Sequence, residues 1–393
     1  MGFMEKVSKY YLKTYGCAAN EKDSRDIKNT LDNLGLAETK NFGFADVVIL
    51  NSCSVRQASE DKVYGVGKNY KSGYSRTGSI PVREYPKLTI LTGCMVGSAV
   101  GKRKRYELIY LQNKMPWVDY FLTSSQTKEI PSILLKEGFL PKTFTCNASS
   151  LPARGGILSA YINISTGCDN FCSYCVVPYA RGEEVSRSKK EILAEAENLA
   201  SIGYREITLL GQNVNSWGLS QKEKFSLRAG SCHKLPFAQL LRDIHNIKGI
   251  KKMSFLSSNP FDFTQDLIQT LKLPKISRYI HIAAQSGDDE ILKKMNRRHT
   301  AKEFIKLIKD IRKSVPGIEI GTDIIVGFPG ETEKQFMNTV KICKKLKFNV
   351  AYISMYSERL GTTAQKMYKD NIPLKEKKRR HKFLTDIVKK AKL

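Results

Sequence analysis

Apolar positions along this chain follow two periods, short continuous runs typical of strands and longer stretches with the three-to-four-residue recurrence of amphipathic helices. In the first third, strand-like runs lie at residues 10–14, 47–50 and 88–91, each followed by a helix-like stretch. That spacing is about one strand–helix–strand unit and predicts a small α/β domain with a parallel sheet. Between residues 124 and 156 the periodicity weakens, and Pro141, Ser149-Ser150, Pro152 and Arg154-Gly155-Gly156 punctuate the chain as loops do. A domain boundary is expected near residue 150, giving a first domain over 1–150.

Beyond it the alternation resumes, with strand candidates at 161–164, 206–210, 252–256, 279–283, 320–326 and 350–355. Helix-like stretches separate them, for example 189–200, 237–246 and 302–313. Six strand–helix units over 151–370 are too few for an eight-fold barrel and suit an open, partial one. The expected fold class is therefore α/β, an N-terminal open parallel α/β domain followed by a partial barrel. The remaining segment, 371–393, reads as a basic linker helix with Lys377-Lys378-Arg379-Arg380 in one block. A solvated face and a nucleic-acid contact are both open for it.

Composition adds two constraints. With 41% hydrophobic and 26% charged residues, the chain has a soluble globular composition. Its longest apolar runs, such as Val47-Val48-Ile49-Leu50, are far shorter than the roughly 20 residues that span a bilayer. The N-terminus has no apolar signal core, and Lys6 stands where a myristoylation signal wants Ser or Thr. A cytoplasmic protein with no membrane partner is expected. The net charge of +27 makes a polyanion, and nucleic acid first, the natural partner. A generally basic surface would give the same charge, because charge alone carries no sequence code. Nine cysteines in such a chain point to metal or catalysis rather than disulfides.

The strongest chemical signal is Gly167-Cys168-Asp169-Asn170-Phe171-Cys172-Ser173-Tyr174-Cys175, a C-x3-C-x2-C run just after the first strand of the second domain. Three thiolates on one short loop can point at one metal centre. Structural zinc competes, but it wants four ligands in two close pairs, and no fourth cysteine or histidine lies near. A four-iron cubane held by three cysteines instead leaves one iron open to a substrate. The run, with Tyr174 before its last cysteine, resembles the radical S-adenosylmethionine superfamily, whose core is a partial (β/α)6 barrel. The resemblance implies a [4Fe-4S] cluster on Cys168, Cys172 and Cys175 that cleaves S-adenosylmethionine to a 5′-deoxyadenosyl radical.

A second set of cysteines sits in the first domain. Cys17, Cys53 and Cys94 each fall just past a predicted strand, where ligand sites of open α/β sheets gather. Any one alone would pass for a buried small hydrophobe. Three at equivalent positions predict a second three-cysteine cluster. Cys343 falls in a helical apolar stripe with Phe336 and Val340, while Cys146 and Cys232 have no partner pattern.

Two clusters in this order resemble the radical methylthiotransferases. The likeness is carried by Thr14-Tyr15-Gly16-Cys17, Asn51-Ser52-Cys53-Ser54-Val55-Arg56, Val176-Val177-Pro178-Tyr179, Arg181-Gly182-Glu183-Glu184 and Leu210-Gly211-Gln212-Asn213-Val214-Asn215. Within that family they look most like the tRNA-2-methylthio-N6-dimethylallyladenosine synthases. The resemblance implies two [4Fe-4S] clusters, S-adenosylmethionine and a tRNA substrate whose isopentenyl-adenosine beside the anticodon gains a methylthio group at C2. An electron donor and a sulfur source of unknown identity are further partners, and a monomer is compatible with this.

By position at strand ends, Gly211, Gln212, Asn213, Ser257, Ser258, Gln285 and Ser286 are candidates to hold S-adenosylmethionine, together with Tyr174 and Asp323. Turn geometry would explain many of them as well. Gly97 to Lys102 reads G-x-x-x-G-K, one residue short of a phosphate loop, and Arg103 follows where Ser or Thr is needed, so nucleotide hydrolysis is dismissed.

Family members usually carry a further all-β RNA-binding domain. Here the chain ends at Leu393, so that domain is expected to be absent or truncated, with tRNA affinity resting on the basic surface and residues 377–380. Competing readings are a relative acting on threonylcarbamoyl-adenosine in tRNA or on a ribosomal-protein aspartate, and a non-catalytic iron–sulfur RNA-binding protein.

Overall fold

The computed structural model describes residues 7–71, 88–140, 158–227 and 230–390; Cys146 and the punctuating residues from Pro141 to Gly156 lie outside them. The chain divides into two compact units. The first comprises residues 1–152 with 176–182, and the second 153–175 with 183–393.

The first unit holds strands β1 (Lys9–Tyr15), β2 (Ala37–Glu38), β3 (Val47–Ser52), β4 (Leu88–Gly93) and β5 (Tyr120–Leu122). They form one parallel sheet in the order β2-β1-β3-β4-β5. Its helices are α1 (Ala18–Asn33), α2 (Gln57–Lys71), α3 (Cys94–Val100), α4 (Leu108–Lys114), α5 (Ile130–Lys136) and the short α6 (Val177–Ala180). Every residue of β3 and β4 is buried, which is why these strands read as unbroken apolar runs. Alternate side chains part to opposite faces. Val47, Ile49 and Ile90 pack with Ile27 and Leu31, while Val48, Leu50 and Leu91 pack with Val63, Met95 and Leu111. The edge strands β2 and β5 escape sequence patterning because two or three residues carry no period.

The glycines of the truncated phosphate-loop motif have a packing role. A Cβ on Gly97 would lie 1.9 Å from the carbonyl oxygen of Ala180, so only glycine lets α6 lie against α3.

The second unit begins with β6 (Leu158–Asn163) and the antiparallel pair β7 (Ser165–Thr166) and β8 (Val185–Ser186). Then come β9 (Tyr204–Leu210), β10 (Lys252–Phe255), β11 (Tyr279–His281), β12 (Glu319–Val326) and β13 (Val350–Met355). Parallel ladders join β6, β9 and β10, and β11, β12 and β13. The isolated parallel bridge Ser258–Ile282 links the two triplets, so six parallel strands run in chain order as an open barrel. Helices α7 (Lys189–Ser201), α8 (Gln221–Ser226), α9 (Pro236–Asn246), α10 (Gln265–Thr270), α11 (Asp289–Lys294), α12 (Ala301–Ser314), α13 (Glu333–Leu346), α14 (Thr363–Met367) and α15 (Leu374–Lys390) complete it. Helices α7 and α12 start within a residue of where patterning places them because Ser188 and Thr300 close capping boxes with Glu191 and Glu303, and Thr332 closes a third with Gln335 at the head of α13.

The basic block at 377–380 is not a free surface. Helix α15 docks on β13 and α13, burying Lys377 and Arg380. Lys377 Nζ donates to the Tyr356 carbonyl at 3.1 Å and to Asp370, and Arg380 Nη1 to Glu331 at 2.8 Å. Two of the four basic residues expected to meet RNA are therefore structural. Among the described residues no helix is long and apolar enough to cross a membrane.

Candidate functional site

In the first unit, strand register sets the geometry. Tyr15 aligns with Ser52 and Ser52 with Gly93, so the residues that follow these strands stand at one level of the sheet. Those residues carry Cys17, Cys53 and Cys94, beside the β1/β3 point where strand order reverses, the usual ligand position in open parallel sheets. The Cys53 thiol lies beside both other thiols and interacts with them electrostatically. The neighbouring Cys53 holds Cys17 and Cys94 below the ordinary thiol range, against the cost of burial and with help from Arg181. Cys53 itself is pushed up by the two thiols beside it and by burial.

Polar contacts fix the backbone that carries these thiols. Asn20 Nδ2 donates to Asn51 Oδ1 at 2.8 Å, and Asn51 Nδ2 donates to the Asn20 carbonyl and to Ser24 Oγ, both at 2.9 Å. The Val55 amide donates to Cys53 Sγ at 3.3 Å, and Arg181 Nε to Cys94 Sγ at 3.2 Å.

The C-x3-C-x2-C run in the second unit leaves β7 through Gly167, a left-handed residue at φ 74°. Phe171 is also left-handed, at φ 45°, and Asn296 Nδ2 donates to its carbonyl at 2.9 Å. The Ser173 amide and hydroxyl donate to the carbonyls of Met295 and Lys294, pinning the loop to the end of α11. Cys168 is buried, which pushes its thiol up, and the thiols of Cys175 and Cys172 beside it add to the shift. Asn170 Nδ2 reaches Cys168 Sγ at 3.5 Å and Arg297 Nη1 reaches Cys172 Sγ at 3.4 Å. Tyr174 packs beside Met295, Phe328 and Tyr356. Among the described residues no three Cys, His, Asp or Glu side chains close around a single metal ion. A cluster spreads its thiolates over several irons and so needs no such single-ion arrangement.

The barrel rim holds buried polar atoms with no partner, namely Ser165 Oγ, Asn213 Oδ1, Ser258 Oγ and Gln285 Oε1, at the carboxyl ends of β6, β9, β10 and β11. Leaving such an atom unpaired costs about 1–3 kcal/mol, so four on one rim mark a ligand position. Ser257 and Gln285 are left-handed non-glycine residues at φ 68° and 66°, conformations that concentrate at functional sites. The turn at Ser257 leaves that side chain exposed and buries Ser258 instead. Gly211 carries no side chain, and a Cβ there would meet Ser165 Oγ at 2.5 Å. Gln212 is half-buried beside it. The Ser286 hydroxyl is taken up by the Asp288 amide and Thr339. Asp323 pairs with His281 Nε2 at 2.7 Å, with the Tyr279 hydroxyl 3.4 Å from His281 Nδ1.

Patterning overlooks Ser165, Asp262 and the arginines beside the thiols. Asp262 is fully buried and pushed up to about 6 by burial, against Arg298 at 3.1 Å and Asn213 at 2.8 Å. By accepting from Asn213 Nδ2 it turns Oδ1 of that residue toward the rim. Arg181 stands in a quoted motif, but nothing local announces its contact. Cys343 is a buried core residue of α13, and Cys232 is exposed.

The model of the Radical SAM superfamily matches residues 162–343, and that of the Uncharacterized protein family UPF0004 matches residues 9–112. The tRNA-2-methylthio-N(6)-dimethylallyladenosine synthase of Syntrophomonas wolfei is 36% identical over 389 residues, covering 97% of this chain and 82% of that protein. The chain belongs to this synthase family. A synthase of the same name from Clostridium botulinum is 37% identical and covers 93% of this chain and 76% of its own length. Among solved structures, the radical S-adenosylmethionine methyltransferase TsrM from Kitasatospora setae aligns with a TM-score of 0.59 at 12% identity. It covers 91% of this chain and 75% of TsrM, a likeness of fold. Radical SAM membership makes the family one of enzymes that use a [4Fe-4S] cluster and S-adenosylmethionine.

Proposed function

We propose that the chain replaces the C2 hydrogen of N6-isopentenyladenosine, next to the anticodon of tRNA, by a methylthio group. Cys168, Cys172 and Cys175 hold the radical cluster in this reading, and Cys17, Cys53 and Cys94 an auxiliary one. The carrying observation is the register that brings Cys17, Cys53 and Cys94 to one level of the first sheet. A radical alone does not determine a product, whereas a second thiolate set at a ligand-binding edge offers a place for the sulfur to be inserted.

The residues present suit both groups. Three thiols lie side by side in the first unit, and the Arg181 guanidinium donates to one of them, which favours the thiolate, the form that binds iron. Four orphaned polar atoms line the barrel rim, where a zwitterionic cofactor with a ribose and a base would satisfy them. When bound, the radical cluster and S-adenosylmethionine supply the 5′-deoxyadenosyl radical that activates an inert C–H bond. The chain's own share is placement. Ser165, Asn213, Ser258 and Gln285 orient the cofactor, Asp262 keeps Asn213 turned, and Arg297 donates to Cys172. Asp323, held by His281, is a further polar group inside the barrel, and Tyr174 backs the cysteine loop. A cytoplasmic setting, a tRNA partner and external electron and sulfur donors complete the proposal.

Anaerobically reconstituted protein, given dithionite, S-adenosylmethionine and isopentenylated tRNA, should yield 5′-deoxyadenosine and 2-methylthio-N6-isopentenyladenosine by nucleoside mass spectrometry. C17A should keep 5′-deoxyadenosine formation and lose the methylthio nucleoside, while C168A should lose both. Methylthio nucleoside from C17A, or none from the parent, would refute the assignment.

A further inference from the structure

We propose that Arg181 is a positioning residue for the auxiliary cluster, fixing the Cys94 thiolate and raising the cluster's affinity for an electron. The inference rests on reading Cys17, Cys53 and Cys94 as cluster ligands. Arg181 Nε donates to Cys94 Sγ at 3.2 Å, and Nη2 of the same guanidinium to Asp23 at 2.8 Å. Asp23 lies on α1, the helix capped by Cys17, and Cys94 opens α3. One planar fork therefore ties together the two helices that carry two of the three thiols, a geometry that lysine cannot reproduce. The Arg181 side chain is 7% exposed and that of Asp23 12%, so water does little to screen the contact.

Placement of Arg181 depends on Gly97. Helix α6 approaches α3 so closely that the Ala180 carbonyl fills the space of a Gly97 Cβ, which sets the next residue over Cys94. A cation that donates to a cluster thiolate stabilises the form carrying the additional electron, because hydrogen bonds to sulfur and net charge set the potential.

The test uses the full chain with Cys168, Cys172 and Cys175 changed to alanine, so that only the auxiliary cluster reports. After anaerobic reconstitution, iron and sulfide are assayed and the midpoint potential is measured by electron paramagnetic resonance during redox titration. R181Q should retain its fold by circular dichroism and shift the midpoint to a more negative potential, with R181K between it and the parent. An unmoved midpoint in R181Q that still holds iron overturns the role of Arg181 and leaves the cluster reading intact. Should R181Q hold no iron, R181K decides, since a midpoint below the parent supports the proposal and an equal one overturns it. A parent background without iron overturns the three-cysteine reading and this inference with it.

Discussion

Gly97 is the position where a single methyl group should do the most damage in the first unit. A Cβ there would stand 1.9 Å from the Ala180 carbonyl oxygen, and real Cβ atoms essentially never come within 3.0 Å of such a neighbour. In G97A, α6 must withdraw by more than 1 Å. A shift of that size along the Arg181–Cys94 contact carries it from 3.2 Å to beyond 4 Å, outside hydrogen-bond range. Overpacking of this kind costs about 1–3 kcal/mol, and the gain from replacing glycine in a helix returns at most about 1 kcal/mol. Taking the middle of the first range against the full return, the net expectation is a loss of about 1 kcal/mol in stability. Gly65 supplies the control, since it lies within α2 with nothing within 4 Å of its would-be Cβ. G65A should therefore be neutral or more stable by up to about 1 kcal/mol. Urea unfolding of both variants under anaerobic conditions, with iron content after reconstitution, gives the comparison. A G97A protein with the parent's midpoint and iron content would refute the packing argument.

Two further outcomes follow from buried charge. His299 is pushed down to about 3, first by burial and then by Arg297, from an ordinary 6.5. The unfolded chain therefore binds the extra proton between those values, and stability contributed by a neutral His299 is full above pH 6.5 and falls as pH drops. Between pH 6.5 and 5 that loss is about 2 kcal/mol, so H299Q should show a shallower decline in urea stability over this window, and parallel curves would contradict it. Lys377→Ala removes a buried cation from Asp370 and the Tyr356 carbonyl and should cost about 3 kcal/mol. Lys378→Ala, on the exposed face, should leave thermal unfolding unchanged, and equal effects of the two would argue against the docked helix.

Much of this arrangement is legible in the residues, for reasons that can be named. Continuous apolar runs such as 47–50 announce strands buried on both faces, and cysteines placed one or two residues past the ends of such strands inherit the alignment of the sheet. Contacts between distant segments are the illegible part. Arg181 meets Cys94 only because a glycine 84 positions earlier admits α6, and no local pattern encodes that approach. The choice between Ser257 and Ser258 turns on one left-handed φ, which reverses the side chain that faces inward. In α15 the buried stripe is Lys377, Arg380, Leu384 and Val388, with the spacing of a core face. Two basic residues at its head disguise it as a solvated surface.

Helix α6 has a bearing on how this protein can be taken apart. The chain leaves the second unit after Cys175, contributes residues 176–182 to the first, and returns at Glu183. A fragment ending near residue 150 thus lacks α6, leaving the face of α3 at Gly97 uncovered and Cys94 without its guanidinium. Exchange of the first module between relatives must therefore carry residues 176–182 with it, as a second crossover inside what looks in sequence like barrel.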